Sequence, residues 1–364
     1  MSRETTKRKA EHIKISLNQN VQARGITTGF EDVSFVHQAL PEIDRKEIDL
    51  QAEVFGHAFA APIIAGAITG GTPEAEKINA TIAEAVERLG LGMGVGSQRA
   101  AIENRKLAKT FAVARKKAPT AFLIANLGGV QFVNGYGTRE AKRAIDMIRA
   151  DALAVHLNAL QETAQPEGQT NFRGVLRRIR EIADELGKTV IVKETGAGIS
   201  AEVARKLESE GVKGIDISGA GGTSFAAVEY YRAKGAENGP QRRLGAAFWD
   251  WGIPTAVGIV EVTQTVKIPV IASGGVRNGV DVAKSLALGS SLASLSQPIL
   301  QSAVKGVKET CKTLSLLIDE LRNVMFLVGA DSIDELRKVP VVITGKTLEW
   351  LRLRGFSSEA YARR

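Results

Sequence analysis

Cysteine is almost absent from this chain of 364 residues: Cys311 is the only one, so no disulfide can form within it. Its neighbours Thr310 and Lys312 continue a helical pattern away from every glycine-rich loop, which predicts a helix residue and not a catalytic thiol. Long apolar runs are also lacking, since a membrane helix needs roughly 18 to 20 uncharged residues in a row. The charged N-terminus has no apolar segment behind it, so we expect no secretory signal and a cytoplasmic protein.

Aromatic residues make up only 5% of the chain, which leaves little material for the stacking platforms that bind nucleic acids. Lys and Arg number 48 against 40 Asp and Glu, a net charge of +8. Such an excess suits nucleic acids, anionic small molecules or a merely solvated surface. Together these features favour a small-molecule partner and predict neither nucleic-acid nor membrane binding.

What the sequence does contain is a repeated alternation of short apolar runs with longer amphipathic stretches, beginning near residue 60. The apolar runs lie at residues 62–66, 92–96, 121–126, 152–157, 189–193, 214–218, 269–273 and 291–295. Continuous apolar runs are typical of parallel strands buried on both faces, and eight of them predict closure into a (β/α)8 TIM barrel. An open doubly wound sheet is the alternative, although its glycine-rich fingerprint after the first strand is not evident.

The same pattern predicts one domain over residues 1–364. Its parts are an N-terminal arm at 1–58, the barrel strands at 59–297 and C-terminal helices at 298–364. Helical stripes lie at 73–89, 200–207 and 279–288, and one long helix is predicted from 298 to about 328. A long insertion at 235–252, after the sixth strand, is typical of a lid or a subunit contact.

Active sites of such barrels lie at the C-terminal ends of the strands. Polar side chains close most of the apolar runs here, namely Asn126, His156, Lys193, Asp216 and Ser273. A lysine at the end of an apolar strand is costly without an anionic partner. Lys193 is therefore predicted either to face an electron-rich cofactor or substrate, or to pair with a neighbour such as Asp216.

The glycine pair Gly274-Gly275 joins a strand to a helix, which offers free backbone N–H groups and a helix N-terminus to a phosphate. Barrels often bind phosphate after the seventh and eighth strands, so we predict a phosphorylated cofactor here. Residues 219–224, after the sixth strand, form a second glycine-rich loop that either closes over a ligand or is only a flexible connection.

Residues 156–162 supply an imidazole, amides and a carboxylate at the end of the fourth strand. One carboxylate with amides and no cysteine makes an open site, better suited to Mg²⁺ shared with substrate phosphates than to zinc. His156 is alternatively a buried, hydrogen-bonded core histidine. Arg8, Lys9 and Arg99 are candidates for phosphate recognition, with solvated tail residues as the alternative for the first two.

Six short motifs follow one another in the order seen in a single known family. They are Arg8-Lys9-x-Glu11-His12, Thr69-Gly70-Gly71, Gly94-Val95-Gly96-Ser97-Gln98-Arg99, His156-Leu157-Asn158-x-x-Gln161-Glu162, Val192-Lys193-Glu194 and Ser273-Gly274-Gly275. Together, and over essentially the whole chain, they resemble type 2 isopentenyl diphosphate isomerase. Each motif alone is weak, whereas the combination of Ser-Gln-Arg with His-Leu-Asn-x-x-Gln-Glu is specific.

The resemblance implies an FMN-dependent enzyme of isoprenoid biosynthesis that interconverts isopentenyl and dimethylallyl diphosphate without net redox change. It also implies that NADPH or a similar donor must reduce the flavin and that Mg²⁺ is required. Reduced FMN would stack on the C5 substrate, and its N5 region would carry the proton transfer. A homo-oligomer, either a tetramer or an octamer, is expected on the same ground.

The site residues follow from the resemblance motif by motif. FMN would contact Ala67, Ile68, Thr69, Ser97, Asn126, Lys193, Ser218, Thr223, Gly274, Gly275, Arg277, Ser294 and Leu295. The diphosphate would be held by Arg8, Lys9, His12, Ser97, Gln98, Arg99, His156, Asn158 and Gln161. Glu162 would hold Mg²⁺, and the catalytic roles would fall to Gln161, His156 and Lys193, with Lys193 at the flavin pyrimidine edge.

Three positions depart from the family pattern: Ile68 replaces a common methionine, Phe225 a common tryptophan, and residues 289–291 the usual Gly-Ala-Asp. Other FMN barrels are the enzyme alternatives. A hydroxy-acid oxidase would need a histidine late in the barrel, whereas all four histidines lie in the first half of the chain. An inosine-monophosphate-dehydrogenase-like enzyme would need a loop cysteine, and a dihydroorotate-type dehydrogenase or a non-catalytic flavoprotein remain further alternatives.

Overall fold

Eight parallel strands form a closed barrel in the computed structural model, which describes residues 2–233 and 239–364. In chain order the strands are β1 (Val33–Phe35), β2 (Ala52–Val54), β3 (His57–Phe59), β4 (Ile63–Ala65), β5 (Gly92–Gly94), β6 (Leu123–Gly128), β7 (Ala152–His156), β8 (Thr189–Lys193), β9 (Gly214–Asp216), β10 (Val270–Ala272), β11 (Leu292–Leu295) and β12 (Val341–Ile343). Strands β4 to β11 form the barrel, which closes where β11 pairs with β4. Each predicted apolar run overlaps one barrel strand, so the predicted TIM barrel is confirmed and the open sheet is excluded.

Helices surround the barrel. They are α1 (Ser2–Asn18), α2 (Pro73–Leu89), α3 (Arg99–Glu103), α4 (Lys109–Lys117), α5 (Gly129–Val133), α6 (Thr138–Ile148), α7 (Ala159–Ala164), α8 (Val175–Glu185), α9 (Ala201–Ser209), α10 (Phe225–Arg232), α11 (Pro240–Ala247), α12 (Thr255–Thr263), α13 (Gly279–Ala287), α14 (Gln297–Ala303), α15 (Val307–Leu327), α16 (Ile333–Leu336), α17 (Gly345–Leu353) and α18 (Glu359–Ala362), with 3-10 turns at Phe30–Asp32 and Arg105–Leu107. Across the described residues, none of these helices has the length and apolar character needed to cross a bilayer.

Local sequence signals explain where several helices begin and end. Helix α2 has the predicted bounds because the Thr72 hydroxyl accepts the Ala75 N–H at 3.0 Å and Gly90 ends the helix in a left-handed conformation, φ 62°. The single long helix predicted from residue 298 is wrong. The chain instead forms α14 and α15, because it turns at Gly306, whose φ of 109° no helix residue adopts.

The two ends of the barrel are covered by different parts of the N-terminal arm. The hairpin β2–β3 lies at the base of the barrel, where Phe55 and His57 pack on Phe122. Helix α1 lies at the opposite end, where the strands have their C-termini. The predicted insertion follows β9 as expected; its residues 235–238 lie outside the described residues, and α11 and the buried Trp249 come after them.

Candidate functional site

A ring of polar side chains occupies interior positions at the C-terminal ends of the barrel strands. All but Asp216, which follows Gly214, come two positions after an apolar interior residue, as Asn126 follows Ile124 and Lys193 follows Ile191. The period of two in a strand places both members of such a pair on the same face. The ring consists of Asn126, His156, Lys193, Asp216, Ser273 and Ser294, and it lines the floor of one cleft.

This cleft encloses about 1650 Å³ including its open mouth, and it gathers most of the predicted site residues. Those that line it are Arg8, Lys9, His12, Ala67, Ile68, Thr69, Ser97, Arg99, Asn126, His156, Asn158, Gln161, Glu162, Lys193, Ser218, Thr223, Gly274, Gly275, Arg277 and Ser294. Residues far apart in the sequence, from the arm to the last strand, therefore share one site.

Two predicted site residues do not line the cleft. Gln98 is fully buried; its side-chain nitrogen donates to the Ala144 carbonyl at 2.8 Å and its oxygen accepts the Asn126 N–H at 2.9 Å. It thus supports the strand that carries Asn126 instead of contacting a ligand directly. Leu295 follows Ser294, so its side chain points to the opposite face of β11 and packs among the helices.

The two glycine loops predicted to bind phosphate pack against each other. Gly274 and Gly275 have φ of 97° and 75°, and a side chain on Gly274 would stand 2.1 Å from the Gly219 carbonyl oxygen. A side chain on Gly222 would stand 2.3 Å from the Gly275 nitrogen. Only glycine permits this approach, which brings the backbone N–H groups of both loops to one wall of the cleft.

Several of those N–H groups are donors without an acceptor. Within the described residues, no hydrogen bond uses the N–H of Thr223, Gly274 or Gly275, and all three residues line the cleft. Arg277 lines the same wall, and burial lowers the pKa of its guanidinium. Unpaired backbone donors beside an arginine fit a phosphate group. This end of the cleft therefore suits the phosphate of a cofactor such as FMN.

His156 stands over the cleft floor in a fixed orientation. Its Nδ1 lies 2.8 Å from the Asn126 side-chain oxygen, and the Asn126 nitrogen donates to the Val95 carbonyl at 3.0 Å. Burial lowers the pKa of His156 to about 3, and the positive charges of Lys193, Lys9 and Arg8 act in the same direction. His156 is therefore hydrogen-bonded, as a buried core histidine would be, and it also faces the cleft with its Nε2 atom.

Lys193 is paired in register with Asp216 on the neighbouring strand. Within the described residues, however, no carboxylate lies within ion-pair distance of Lys193; its Nζ donates to the Glu194 carbonyl. Asp216 instead accepts a hydrogen bond from the Ser273 hydroxyl, and burial raises the pKa of this carboxyl group. The arrangement leaves the Lys193 ammonium as a positive charge facing the cleft.

The arm brings a second set of basic groups to the cleft. Arg8 lies 3.6 Å from Glu167, and Glu167 and Glu229 both bind Arg232, at 2.7 and 2.6 Å. Glu229 also contacts His12 at 2.9 Å. This chain of charges anchors α1 on α10, so Arg8 and His12 are held in place and are not solvated tail residues.

Lys9 lies between Arg8 and the barrel. Its Nζ donates to the Ser97 carbonyl and lies 5.1 Å from the centre of the Phe111 ring. Burial lowers the pKa of Lys9 to about 7, and the charge of Arg8 adds to the effect. On the neighbouring turn, Arg99 is paired with Glu103 at 2.8 Å. An anion entering here would meet Lys9 and Arg8 as its principal cations.

Glu162 is the predicted Mg²⁺ ligand, and Asn158, predicted to bind the diphosphate, lies beside it. One Glu162 oxygen accepts from the Asn158 nitrogen at 2.9 Å, and the other accepts from the Gln165 side chain and the Gln169 N–H at 2.5 and 2.6 Å. The Asn158 side-chain oxygen is buried without a partner in the described part of the chain. A carboxylate beside an unpaired amide oxygen suits Mg²⁺ completed by substrate oxygens. The described residues contain no cluster of three His, Cys, Asp or Glu side chains that could hold a metal alone.

Some lining residues were not predicted. Gln131 lies in α5, just beyond the third barrel strand, and Ser296 and Gln297 directly follow the last barrel strand. Thr195 and Gly196 come just after Lys193, and their N–H groups donate to the Glu194 carboxylate at 2.5 and 2.6 Å. Their position just beyond a strand end was the available signal; the nearest preceding predicted site residues, Asn126, Lys193 and Leu295, stop one to five residues short of them.

Comparisons with known proteins show the family to which the chain belongs. The FMN-dependent dehydrogenase family matches residues 129–342. An isopentenyl-diphosphate delta-isomerase of Methanosarcina barkeri is 48% identical over 358 residues, covering 98% of this chain and 97% of that protein. The protein of the same name from Thermococcus onnurineus is 51% identical over 355 residues, covering 95% of this chain and 94% of its own.

Solved structures share the fold at low identity. A putative lactate oxidase of Pediococcus acidilactici superposes with a TM-score of 0.64 at 19% identity, covering 94% of this chain and 93% of that one. Mandelate oxidase gives a TM-score of 0.59 at 18% identity, covering 94% and 98%. Sequence identity near one half over almost the full length shows the family of the chain, whereas the structural likeness shows only the barrel fold. The chain belongs to the FMN-dependent dehydrogenase family and, within it, to the isopentenyl-diphosphate delta-isomerases.

Proposed function

We propose that the protein binds FMN and, with the flavin reduced, interconverts isopentenyl and dimethylallyl diphosphate in isoprenoid biosynthesis. The observation that carries the proposal is that one cleft has two separate anion-binding ends. The glycine loops with Arg277 form one end, and Arg8, Lys9 and Arg99 of the other end come from the arm and from α3. A phosphorylated cofactor and a diphosphate substrate together require such a pair of ends.

At the first end, the backbone N–H groups of Thr223, Gly274 and Gly275 would hold the FMN phosphate, and Lys193 would lie at the pyrimidine edge of the ring. Ala67, Ile68 and Thr69 would form a wall for the flavin, as the family resemblance implies. Reduced FMN, when bound, supplies a ring nitrogen able to give and take a proton at the substrate carbon. A lysine ammonium near the ring would stabilise its anionic reduced form.

At the second end, Arg8, Lys9, His12, Ser97, His156, Asn158 and Gln161 would bind the diphosphate. Glu162 would hold Mg²⁺, with the unpaired Asn158 oxygen as a further ligand. The two cations Arg8 and Lys9 stabilise the diphosphate charge and orient the C5 chain towards the cleft floor. Gln161 would assist proton movement on the face opposite the flavin.

The remaining expectations are proposals of the same kind. NADPH is the proposed reductant, the cytoplasm the proposed location and a homo-oligomer, tetramer or octamer, the proposed assembly. Residues 1–364 are proposed to act as one domain, since the arm contributes Arg8, Lys9 and His12 to the cleft of the barrel.

The test begins with the visible spectrum of the purified protein, which should show bound flavin. Isopentenyl diphosphate is then supplied with Mg²⁺ under anaerobic conditions, with the flavin either oxidised or reduced by dithionite or NADPH. We expect dimethylallyl diphosphate to form only with reduced flavin, and deuterium from heavy water to enter the product. Absence of flavin overturns the proposal, and bound flavin without turnover favours a non-catalytic flavoprotein.

A further inference from the structure

A segment of the N-terminal arm, residues 20–28, crosses the outside of the glycine loop after β9. The N–H of Ala23 donates to the Gly222 carbonyl at 2.9 Å, and the N–H of Ser224 donates to the Val21 carbonyl at 2.8 Å. These bonds set Gln22 opposite Thr223 in an antiparallel bridge. We call residues 20–28 the strap. Because Thr223 lines the cleft, the strap forms the outer layer of its phosphate end.

Gln22 makes one direct contact with the residues that line this end. Its side-chain oxygen accepts a hydrogen bond from the Arg277 guanidinium at 2.6 Å. A guanidinium has only donors, so the oxygen of the amide must face it and the nitrogen must point elsewhere. That nitrogen, Nε2, is buried and has no acceptor in the described part of the chain.

Arg277 lacks a carboxylate partner at ion-pair distance within the described residues. The Asp281 carboxylate, on the next turn, accepts the backbone N–H of Arg277 at 2.9 Å and not its guanidinium. A half-buried guanidinium on the cleft wall, without a carboxylate counter-ion, indicates a place for an anion. Burial of the charge lowers the pKa of Arg277, which a bound phosphate would offset.

We propose that Gln22 is a positioning residue for the cofactor phosphate. Its oxygen holds the Arg277 guanidinium towards the phosphate, so Gln22 acts on the anion through Arg277. The inference rests on the proposed binding of FMN and adds to it a residue of the arm, outside the glycine loops and strand ends.

The strap is itself fixed, so the contact is preorganised. The Trp249 indole N–H donates to the Gln22 carbonyl at 2.8 Å, and the Arg24 guanidinium lies 3.5 Å from the centre of the same indole ring. The Asp250 carboxylate accepts the N–H groups of Arg24 and Gly25 at 2.6 and 3.0 Å. A side chain held in this way places Arg277 without a large loss of conformational freedom on binding.

The experiment compares FMN with riboflavin, which has the same ring system without the phosphate. Apoprotein is titrated with each flavin, following flavin fluorescence, for the wild type, Gln22→Met and Gln19→Met. Gln19 is exposed on the same arm and serves as the matched control. We expect Gln22→Met to weaken FMN binding about tenfold, because a hydrogen bond to a charged group is lost, and to leave riboflavin binding unchanged.

Gln22→Glu keeps an acceptor for Arg277 but adds a negative charge that pairs with the guanidinium and repels the phosphate, so it should weaken FMN binding at least as much as Gln22→Met and leave riboflavin binding unchanged. Equal FMN affinity in wild type and Gln22→Met overturns the inference, and so does an equal loss of FMN and riboflavin, which would indicate a structural role. If Gln22→Met does not fold, Gln22→Glu decides by the same two affinities. A wild type that binds neither flavin contradicts the proposed function instead.

Discussion

His156 donates its Nδ1 hydrogen to the side-chain oxygen of Asn126, over 2.8 Å. The Asn126 nitrogen is engaged by the Val95 carbonyl, so only the oxygen is offered to the imidazole, and an amide oxygen can only accept. The assignment of the hydrogen follows from this network. The neutral ring therefore exposes a bare Nε2 to the cleft, and a bare nitrogen cannot donate to a phosphate oxygen.

This geometry predicts that His156 takes up a proton when an anion binds to its Nε2. Without a ligand, burial holds the pKa of His156 at about 3, so the ring is neutral at pH 7. Binding of inorganic pyrophosphate should raise that pKa and draw a proton from the buffer. Calorimetric titrations at pH 7 in two buffers of different ionisation enthalpy measure the uptake, which should be smaller in His156→Asn. His37→Asn, at an exposed position, is the control; an uptake unchanged in His156→Asn contradicts the prediction.

Glu162→Gln should weaken the response to Mg²⁺ while FMN stays bound. The substitution removes the carboxylate beside the unpaired Asn158 oxygen and places an amide among groups that already donate to residue 162. We expect the Mg²⁺ concentration for half-maximal activity to rise by about tenfold or more, because one charged ligand of the metal is lost. Activity at graded Mg²⁺ and the flavin spectrum measure the two effects. Glu349→Gln, on the exposed face of α17, is the control, and loss of flavin from Glu162→Gln would mean that the metal position is misplaced.

Lys193→Met should make the bound flavin harder to reduce. The ammonium group faces the cleft without a carboxylate at ion-pair distance in the described residues, so it is available to stabilise negative charge on the reduced ring. We expect the midpoint potential to fall on the order of 40 mV, or about 2 kcal/mol for a two-electron couple. The control is Lys188→Met. Lys188 is exposed and directly precedes the N-terminal end of the same strand, so this variant should leave the potential unchanged. Equal potentials in Lys193→Met and the wild type would remove the assigned role.

The sequence was sufficient to predict the barrel and much of the site because both depend on local periodicity. Eight apolar runs specify eight strands, and a polar residue two positions after an apolar interior one must share its face, as with Asn126 and Ile124. The same rule would have excluded Leu295, which directly follows the inward-facing Ser294. Leu295 was assigned by loop position and not by strand alternation, which turns its side chain away from the cleft.

Contacts between distant segments could not be predicted in this way. Gln98 stands inside a motif that reads as a ligand-binding turn, yet its amide completes hydrogen bonds to Ala144 and Asn126. Gln22 has no motif at all, and only the folded strap brings it to Arg277, 255 positions away in the sequence. Such pairings depend on how elements cross in space, which periodicity within one element does not encode.

Lys9 should make the stability of the ligand-free protein increase with pH. Burial lowers its pKa from 10.5 to about 7, so between these values the unfolded chain binds a proton that the folded chain does not. Stability then rises with pH across that window, by up to about 1.4 kcal/mol per pH unit for one proton. Urea unfolding between pH 7.5 and 9.5 measures the free energy of unfolding of the wild type and of Lys9→Met. This free energy should rise more steeply with pH in the wild type than in the variant. Lys14→Met, exposed on the same helix, should keep the wild-type slope; a slope in Lys9→Met equal to the wild type would show that the folded protein leaves Lys9 charged.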